Sequence, residues 1–525
     1  MATCENRSHP KDTIMTKVII IGAGIGGIAT ANLLAKAGYS VSVYEKNSDV
    51  GGRAGILTVD DFRFDTGPSW YLMPEVFEHY FSLLDKDVTK ELDLVRLSPA
   101  YKVFFETKPP LTILSDIEQD AATFEMIEAG AGAALQRYVK DGEMVYRLSL
   151  KHFLYSNFSS PFDFLKRDII TRSLTLLRRA FTPIDAYVSN FVRDQRLKQI
   201  LEYPMVFLGT SPFEAPAIYS LMSALDFKEG VFYPKGGMYT IIERLYAASR
   251  DLGVTYYLNS PVESINTKNR AVTGITLQNG QTVAADIVIS NADLHHTETS
   301  LLSVEDQSYP ATYWDKQKAG PSALLLYLGV KGTLPNLEHH NLIFVDEWKK
   351  NFTDIYTDKI TPTPASMYVC KPSTSDSTVA PEGHENIFIL VPLPPDASIE
   401  VSAIEHLADM YIEQFSRMTG IADFSERIVS RHLFGPDDFR TKFHAWQATA
   451  LGPSHILKQS ALFRTPNKSR KITNLYYVGG STTPGIGLPM CLIGAELIYK
   501  RLAGDKKGGP VHMVERLVPT KENTL

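Results

Sequence analysis

Cysteine is scarce in this chain of 525 residues: Cys4, Cys370 and Cys491 lie far apart and form no C-x-x-C pair. A disulfide framework or a structural zinc cluster is unsupported, and such usage suits a reducing, cytoplasmic setting. An excess of positive charge is missing too, since 53 Lys plus Arg stand against 59 Asp plus Glu, a net charge of −6. Nucleic acid is therefore not an expected partner. Residues 1–15 lack an apolar h-region, so no signal peptide is expected. Long apolar runs are absent except from Val18 to Ala35, which is uncharged between Lys17 and Lys36. What remains, 44% hydrophobic and 21% charged residues, is an ordinary globular composition. At roughly 150 residues per domain the length suggests two to four domains.

The uncharged run could be mistaken for a membrane span, but its content argues otherwise. The β-branched stretch Val18-Ile19-Ile20-Ile21 leads straight into Gly22, Gly24, Gly26 and Gly27. That reads as a buried parallel strand entering a tight turn. A helix over Ile28–Ala37, a stop at Gly38 and a second strand, Val41–Tyr44, complete a βαβ opening. Gly22, Gly24 and Gly27 fit G-x-G-x-x-G between strand and helix, where a pyrophosphate can approach the backbone and the helix N-terminus. Glu45 ends the second strand, placed to bind ribose hydroxyls and to repel a 2′-phosphate. Further β-character follows at Asn259–Ile265, Ala271–Leu277, Ile287–Ser290 and Leu475–Val478, and a last helix is expected over Met490–Leu502. The stretch of about 100–220 has helical periodicity, and the tail after Gly504 reads as weakly ordered.

Gly51-Gly52-Arg53 follow Glu45, giving G-x-G-x-x-G-x₁₇-E-x₅-G-G-R, which is not a nicotinamide fingerprint. The extended pattern resembles the dinucleotide motif of the amine oxidase and carotenoid desaturase flavoproteins. That resemblance implies FAD, with Gly51, Gly52 and Arg53 near pyrophosphate and flavin. The blocks Phe64-Asp65-Thr66-Gly67-Pro68-Ser69, Tyr233–Met238, Ser290–Asp293, His339–Phe344 and Asn474–Gly479 resemble those of bacterial and fungal-type phytoene desaturases. By that resemblance Gly67, Pro68 and Gly479 belong to the cofactor site, Val262 meets adenine, and Gly487, Leu488, Pro489 and Met490 face the flavin pyrimidine. Pro489 also suits a helix's first turn, whose dipole would stabilise charge on reduced flavin. One departure stands out: Thr483 occupies a position where the pattern usually has His. In addition, Gly480 stands where more distant flavoenzymes carry an acid.

The implied fold is α/β, a Rossmann-type FAD-binding domain with an inserted α+β substrate domain. The expected division gives FAD-binding segments at 17–100, 226–300 and 469–503, substrate segments at 101–225 and 301–468, and a tail at 504–525. The implied activity is desaturation of a hydrophobic polyene, phytoene or similar, with quinone or oxygen as electron acceptor. The rivals are a diapophytoene desaturase, a later-step carotenoid desaturase or oxidase, a retinoid saturase, and an amine oxidase. A non-catalytic isoprenoid binder of the GDP-dissociation-inhibitor type is the alternative from a different class.

Asp163 and Lys166 are the catalytic candidates, as proton acceptor and orienter three residues apart at a helix start. The plainer reading is a capping carboxylate beside a solvated lysine. The adjacent pair His339-His340 should point two ways and is read as structural, and no metal site is expected. From Leu165 to Phe181 Lys166, Arg167, Arg172, Arg178 and Arg179 face only Asp168. A helical wheel places every basic residue but Lys166 opposite the apolar half. This is either a core helix with a solvated basic face or an interfacial helix on anionic lipid, which would make the protein peripherally membrane-associated.

Overall fold

A computed structural model describes residues 15–158 and 171–517. Its centre is a five-stranded sheet in the order Leu475–Tyr477, Ile287–Ser290, β1 (Lys17–Ile21), β2 (Ser40–Tyr44) and Thr255–Tyr257. Every neighbouring pair is parallel, with Ile20 opposite both Val43 and Ile289. Both faces of β1 are covered, so its β-branched run is buried from Val18 to Ile21.

The helix α1 spans Ile25–Lys36, starting inside the glycine motif rather than at Ile28. Gly24 is its N-cap, and Ile28 already donates to the Gly24 carbonyl at 3.0 Å. It packs against the last helix, Leu488–Leu502, in one apolar core. The uncharged run from Val18 to Ala35 is thus a strand, a turn and a buried helix. Among the described residues no helix is long and apolar enough to cross a membrane.

A second sheet of seven strands runs Ile428–Phe434, Ser322–Lys331, His384–Leu393, Met367–Cys370, His340–Phe344, Tyr101–Phe105 and Leu111–Ile113. The last two strands lie in the stretch read from sequence as helical. Tyr101 and Val103 are buried there, because the segment adds to the sheet through a parallel pairing with His340–Phe344. The helices Ile117–Ile127 and Ala131–Ser149 follow as expected.

As far as residue 517 the tail is also better held than its composition suggests. Lys500 Nζ donates to the carbonyls of Gly509 at 2.7 Å and Tyr155 at 3.0 Å, and Leu517 N–H donates to Ala37 at 2.9 Å. The bonds to Gly509 and from Leu517 anchor 505–517 to the last helix and to the end of α1.

Candidate active site

The carboxyl ends of three adjacent parallel strands meet at one side chain, Asn291. It fills the glycine turn: a Cβ on Gly24 would stand 2.7 Å from its Oδ1, and one on Gly26 2.9 Å from its Nδ2. The same Nδ2 donates to the Val478 carbonyl at 3.0 Å, tying β1, Ile287–Ser290 and Leu475–Tyr477 together. Gly479, with φ +116°, would bring a Cβ within 2.8 Å of that amide. Gly27 lies behind the turn, where a Cβ would be 2.2 Å from the Gly22 carbonyl oxygen. Neither position admits a larger residue.

Glu45 projects from the end of β2 toward the same turn. Its Oε2 accepts the Ala23 N–H at 2.8 Å, while Oε1 accepts the Asn47 N–H at 2.9 Å. The second glycine pair packs on the first: Gly51 N–H donates to the Ala23 carbonyl at 2.8 Å, and a Cβ on Gly52 would lie 3.3 Å from Gly24 Cα. Gly67 is equally confined, a Cβ there standing 2.3 Å from the Arg53 carbonyl oxygen.

Arg53 reaches into this cradle with its guanidinium 5.6 Å from the Phe443 ring, and its Nε is buried without a hydrogen-bond partner. Burial pulls its pKa down, and the nearby Asp293 carboxylate opposes that shift. An orphaned buried donor beside a glycine cradle and a helix N-terminus is a donor set for a dinucleotide. Val262 lines the same cavity and lies near β2, because Ser260 N–H donates to the Glu45 carbonyl at 2.8 Å.

At the opposite side Gly487, φ +111°, caps the last helix with Pro489 in its first turn, and Leu488, Pro489 and Met490 line the cavity. The positive end of a 15-residue helix is therefore aimed into it. The preceding turn is held by a residue sequence reasoning missed. Buried Arg464 donates through Nε to the Thr482 carbonyl at 3.1 Å, and its Nη2 takes the Gly480 carbonyl. Burial lowers its pKa to about 10, so it stays a cation near neutral pH. Thr483 donates to the Thr465 carbonyl at 3.1 Å, and an imidazole comes instead from another loop, His455 packed on Gly485.

The glycine turns, Glu45, Arg53, Val262, His455 and the start of the last helix open onto one cavity of about 1410 Å³, which continues between apolar walls that include Trp70, Phe207, Leu208 and Met222. That exceeds the range of about 300–1,000 Å³ for single-ligand pockets, leaving room for a cofactor and a second molecule. On one wall Trp70 stacks on His340 at 4.4 Å, and Tyr368 OH bridges His340 Nδ1 and Ser69 Oγ, each at 2.7 Å. His339 and His340 do not diverge as adjacent strand residues would. Their rings meet edge to face at 4.5 Å because His339 precedes the strand that begins at His340. With Cys370 they place one ligand-type atom each within 4.8 Å of one another. Burial keeps both imidazoles neutral and pushes the Cys370 thiol up to about 12.

Asp163, Lys166 and the first part of the basic segment lie outside the described residues. Of the remainder, the helix Ser173–Phe181 corrects the wheel. Arg179 is only 6% exposed, paired with Asp141 at 3.0 Å and stacked over Tyr187, whereas Leu174 is 83% and Phe181 74% exposed. Leu177 and Phe181 flank the cavity together with Leu462 and Phe463 from a separate loop, both at least half exposed.

The family model "Flavin containing amine oxidoreductase" matches residues 25–496. A carotenoid 3,4-desaturase of Haloarcula japonica is 39% identical over 488 residues, covering 93% of this chain and 98% of that one. A zeta-carotene-forming phytoene desaturase of Myxococcus xanthus is 35% identical over 492 residues, 93% of each chain. An oxidoreductase structure from Methanosarcina mazei shares the fold, with a TM-score of 0.59 at 18% identity over 92% of this chain and 99% of that one. This chain belongs to the flavin-containing amine oxidoreductases, in their carotenoid desaturase branch, and is an FAD-dependent oxidoreductase.

Proposed function

We propose that the protein desaturates an acyclic carotenoid, phytoene or a close relative, drawn from a bilayer. The observation that carries this reading is the continuity of the cavity. One space runs from the glycine cradle to a rim of Leu177, Phe181, Leu462 and Phe463. Bound FAD supplies a two-electron oxidant for C–H bonds. The chain's own residues hold the dinucleotide at Glu45, Arg53 and the glycine turns, exclude water with apolar walls, and orient an extended chain past the last helix's N-terminus. Exposed leucines and phenylalanines around the opening, with Arg172 and Arg178 beside them, suit insertion into an anionic membrane surface. Quinone or oxygen is the proposed electron acceptor.

The proposed division into domains follows the sheets. The five-stranded sheet takes its strands from 17–100, 226–300 and 469–503, and the seven-stranded sheet from 101–225 and 301–468. A later-step reading, desaturation of the 3,4 bond, is favoured by the relative of 39% identity that bears that name. Expression in hosts accumulating phytoene or a more unsaturated carotenoid separates the two. New conjugated pigment, resolved by chromatography, appears in the first host for a phytoene desaturase and only in the second for a later-step enzyme.

A further inference from the structure

His455 is held in one tautomer with its other nitrogen open to the cavity. Its Nδ1 lies 3.1 Å from the Leu208 carbonyl oxygen. A carbonyl only accepts, so Nδ1 carries the proton and Nε2 carries a lone pair. Among the described residues Nε2 has no hydrogen-bond partner, and yet it is not one of the fully enclosed unpaired atoms. Its remaining surface therefore faces the cavity that the residue lines.

The ring lies between Leu208 and Tyr219 of the apolar wall and Gly485 of the cofactor turn, all of which line that cavity. On one side are Leu208 and Tyr219, whose ring meets the imidazole edge-on at 5.9 Å. On the other is Gly485, where a Cβ would stand 2.5 Å from Nε2, so only glycine lets the imidazole approach the cofactor turn. Burial, reinforced by the charge of Arg464, holds the ring neutral far below the ordinary histidine range. Among the described residues the other two histidines lining the cavity, His296 and His444, instead stack on each other at 4.0 Å beside Lys46.

Resting on the desaturase reading above, we infer that His455 Nε2 is the catalytic proton acceptor of the dehydrogenation. Converting CH2–CH2 to CH=CH removes two hydrogens. One leaves one carbon with its electron pair, which FAD, when bound, would accept as the two-electron oxidant. The other leaves the neighbouring carbon as a proton and forms a new N–H bond at Nε2, while its C–H electrons become the π bond. The imidazolium so formed is buried near Arg464, which drives the proton onward to water before the next cycle. A fixed acceptor also decides which neighbouring carbon loses its proton.

The test is His455→Gln in the holoenzyme, which keeps a polar side chain of similar length without a basic nitrogen. Flavin absorbance and quenching of tryptophan fluorescence by added polyene should match the parent, while turnover falls by at least about 100-fold, the lower end for general base catalysis. In parallel, nitrogen-15 NMR of the parent enzyme should show this imidazole neutral, with the proton on Nδ1, across neutral pH. Parent-like turnover of the variant, or an Nε2–H tautomer or imidazolium at neutral pH, overturns the assignment and leaves the desaturase reading intact. If the variant loses flavin, the NMR result on the parent decides alone. A parent enzyme that forms no conjugated product from any polyene sinks the desaturase reading separately.

Discussion

The carboxylate of Glu45 accepts the backbone N–H of Ala23 at 2.8 Å, so the acid that ends β2 also braces the glycine turn that follows β1. Glu45→Arg therefore removes a brace and places a cation where ribose hydroxyls should bind. The purified variant is expected to be colourless, with little flavin released on denaturation, while Glu45→Gln keeps part of its flavin. Equal flavin content in the arginine variant and the parent would contradict the site.

Asn291 supports the same turn from the far side. Asn291→Ala loses the hydrogen bond to Val478 and the packing inside the glycine loop. A destabilisation of about 1 kcal/mol is expected, with weaker flavin retention. Thermal unfolding followed with and without added FAD measures both.

The rim of the cavity separates two kinds of residue. Leu177→Asp and Phe463→Asp should lower flotation with anionic liposomes without changing thermal stability, since both side chains are at least half exposed. Arg179→Met should instead destabilise the fold by leaving Asp141 without its buried partner, whereas Arg178→Met stays within about 0.5 kcal/mol of the parent. Liposome binding that is unaffected by either aspartate would remove the rim from membrane attachment.

Buried Asp226 gives a pH signature. Its Oδ2 accepts the hydroxyls of Tyr101 and Tyr203, each at 2.8 Å, and burial raises its pKa from 3.8 to about 7, against the pull of those two hydroxyls. The folded state thus holds a proton that the unfolded chain releases near pH 4. This contribution to stability is complete below about 4 and is lost as the pH rises through about 7. Asp226→Asn, which stays neutral, should flatten the fall in melting temperature between those limits. An unchanged pH profile would show that this carboxyl does not titrate there.

How much was legible in the sequence follows from where each signal resides. Gly22, Gly24, Gly27 and Glu45 were readable because strand, turn, helix and acid are local. The strands Ala271–Leu277 and Ile287–Ser290 were readable to the residue. The helix start was misplaced from Ile25 to Ile28 because a glycine-rich first turn has no propensity signal. Arg464 and His455 were missed, since each acts across the fold on a turn around residues 480–485. Asn291 lay in a recognised block, but its contacts with the glycine loop exist only once β1 and Ile287–Ser290 are paired. The wheel over the basic segment misled for a physical reason. Apolar residues at a cavity mouth can face outward while an arginine turns inward to pair with a carboxylate, and periodicity alone does not say which half is covered.

The most direct measurement is pigment and flavin together: the full chain is purified with its flavin content measured, then incubated anaerobically with liposomes carrying phytoene or a more unsaturated acyclic carotenoid and a quinone. The expected result is a yellow flavoprotein that converts one of these polyenes into a product with a longer, red-shifted chromophore. A colourless protein that binds polyene but neither holds flavin nor changes the chromophore would contradict the account and favour an isoprenoid carrier.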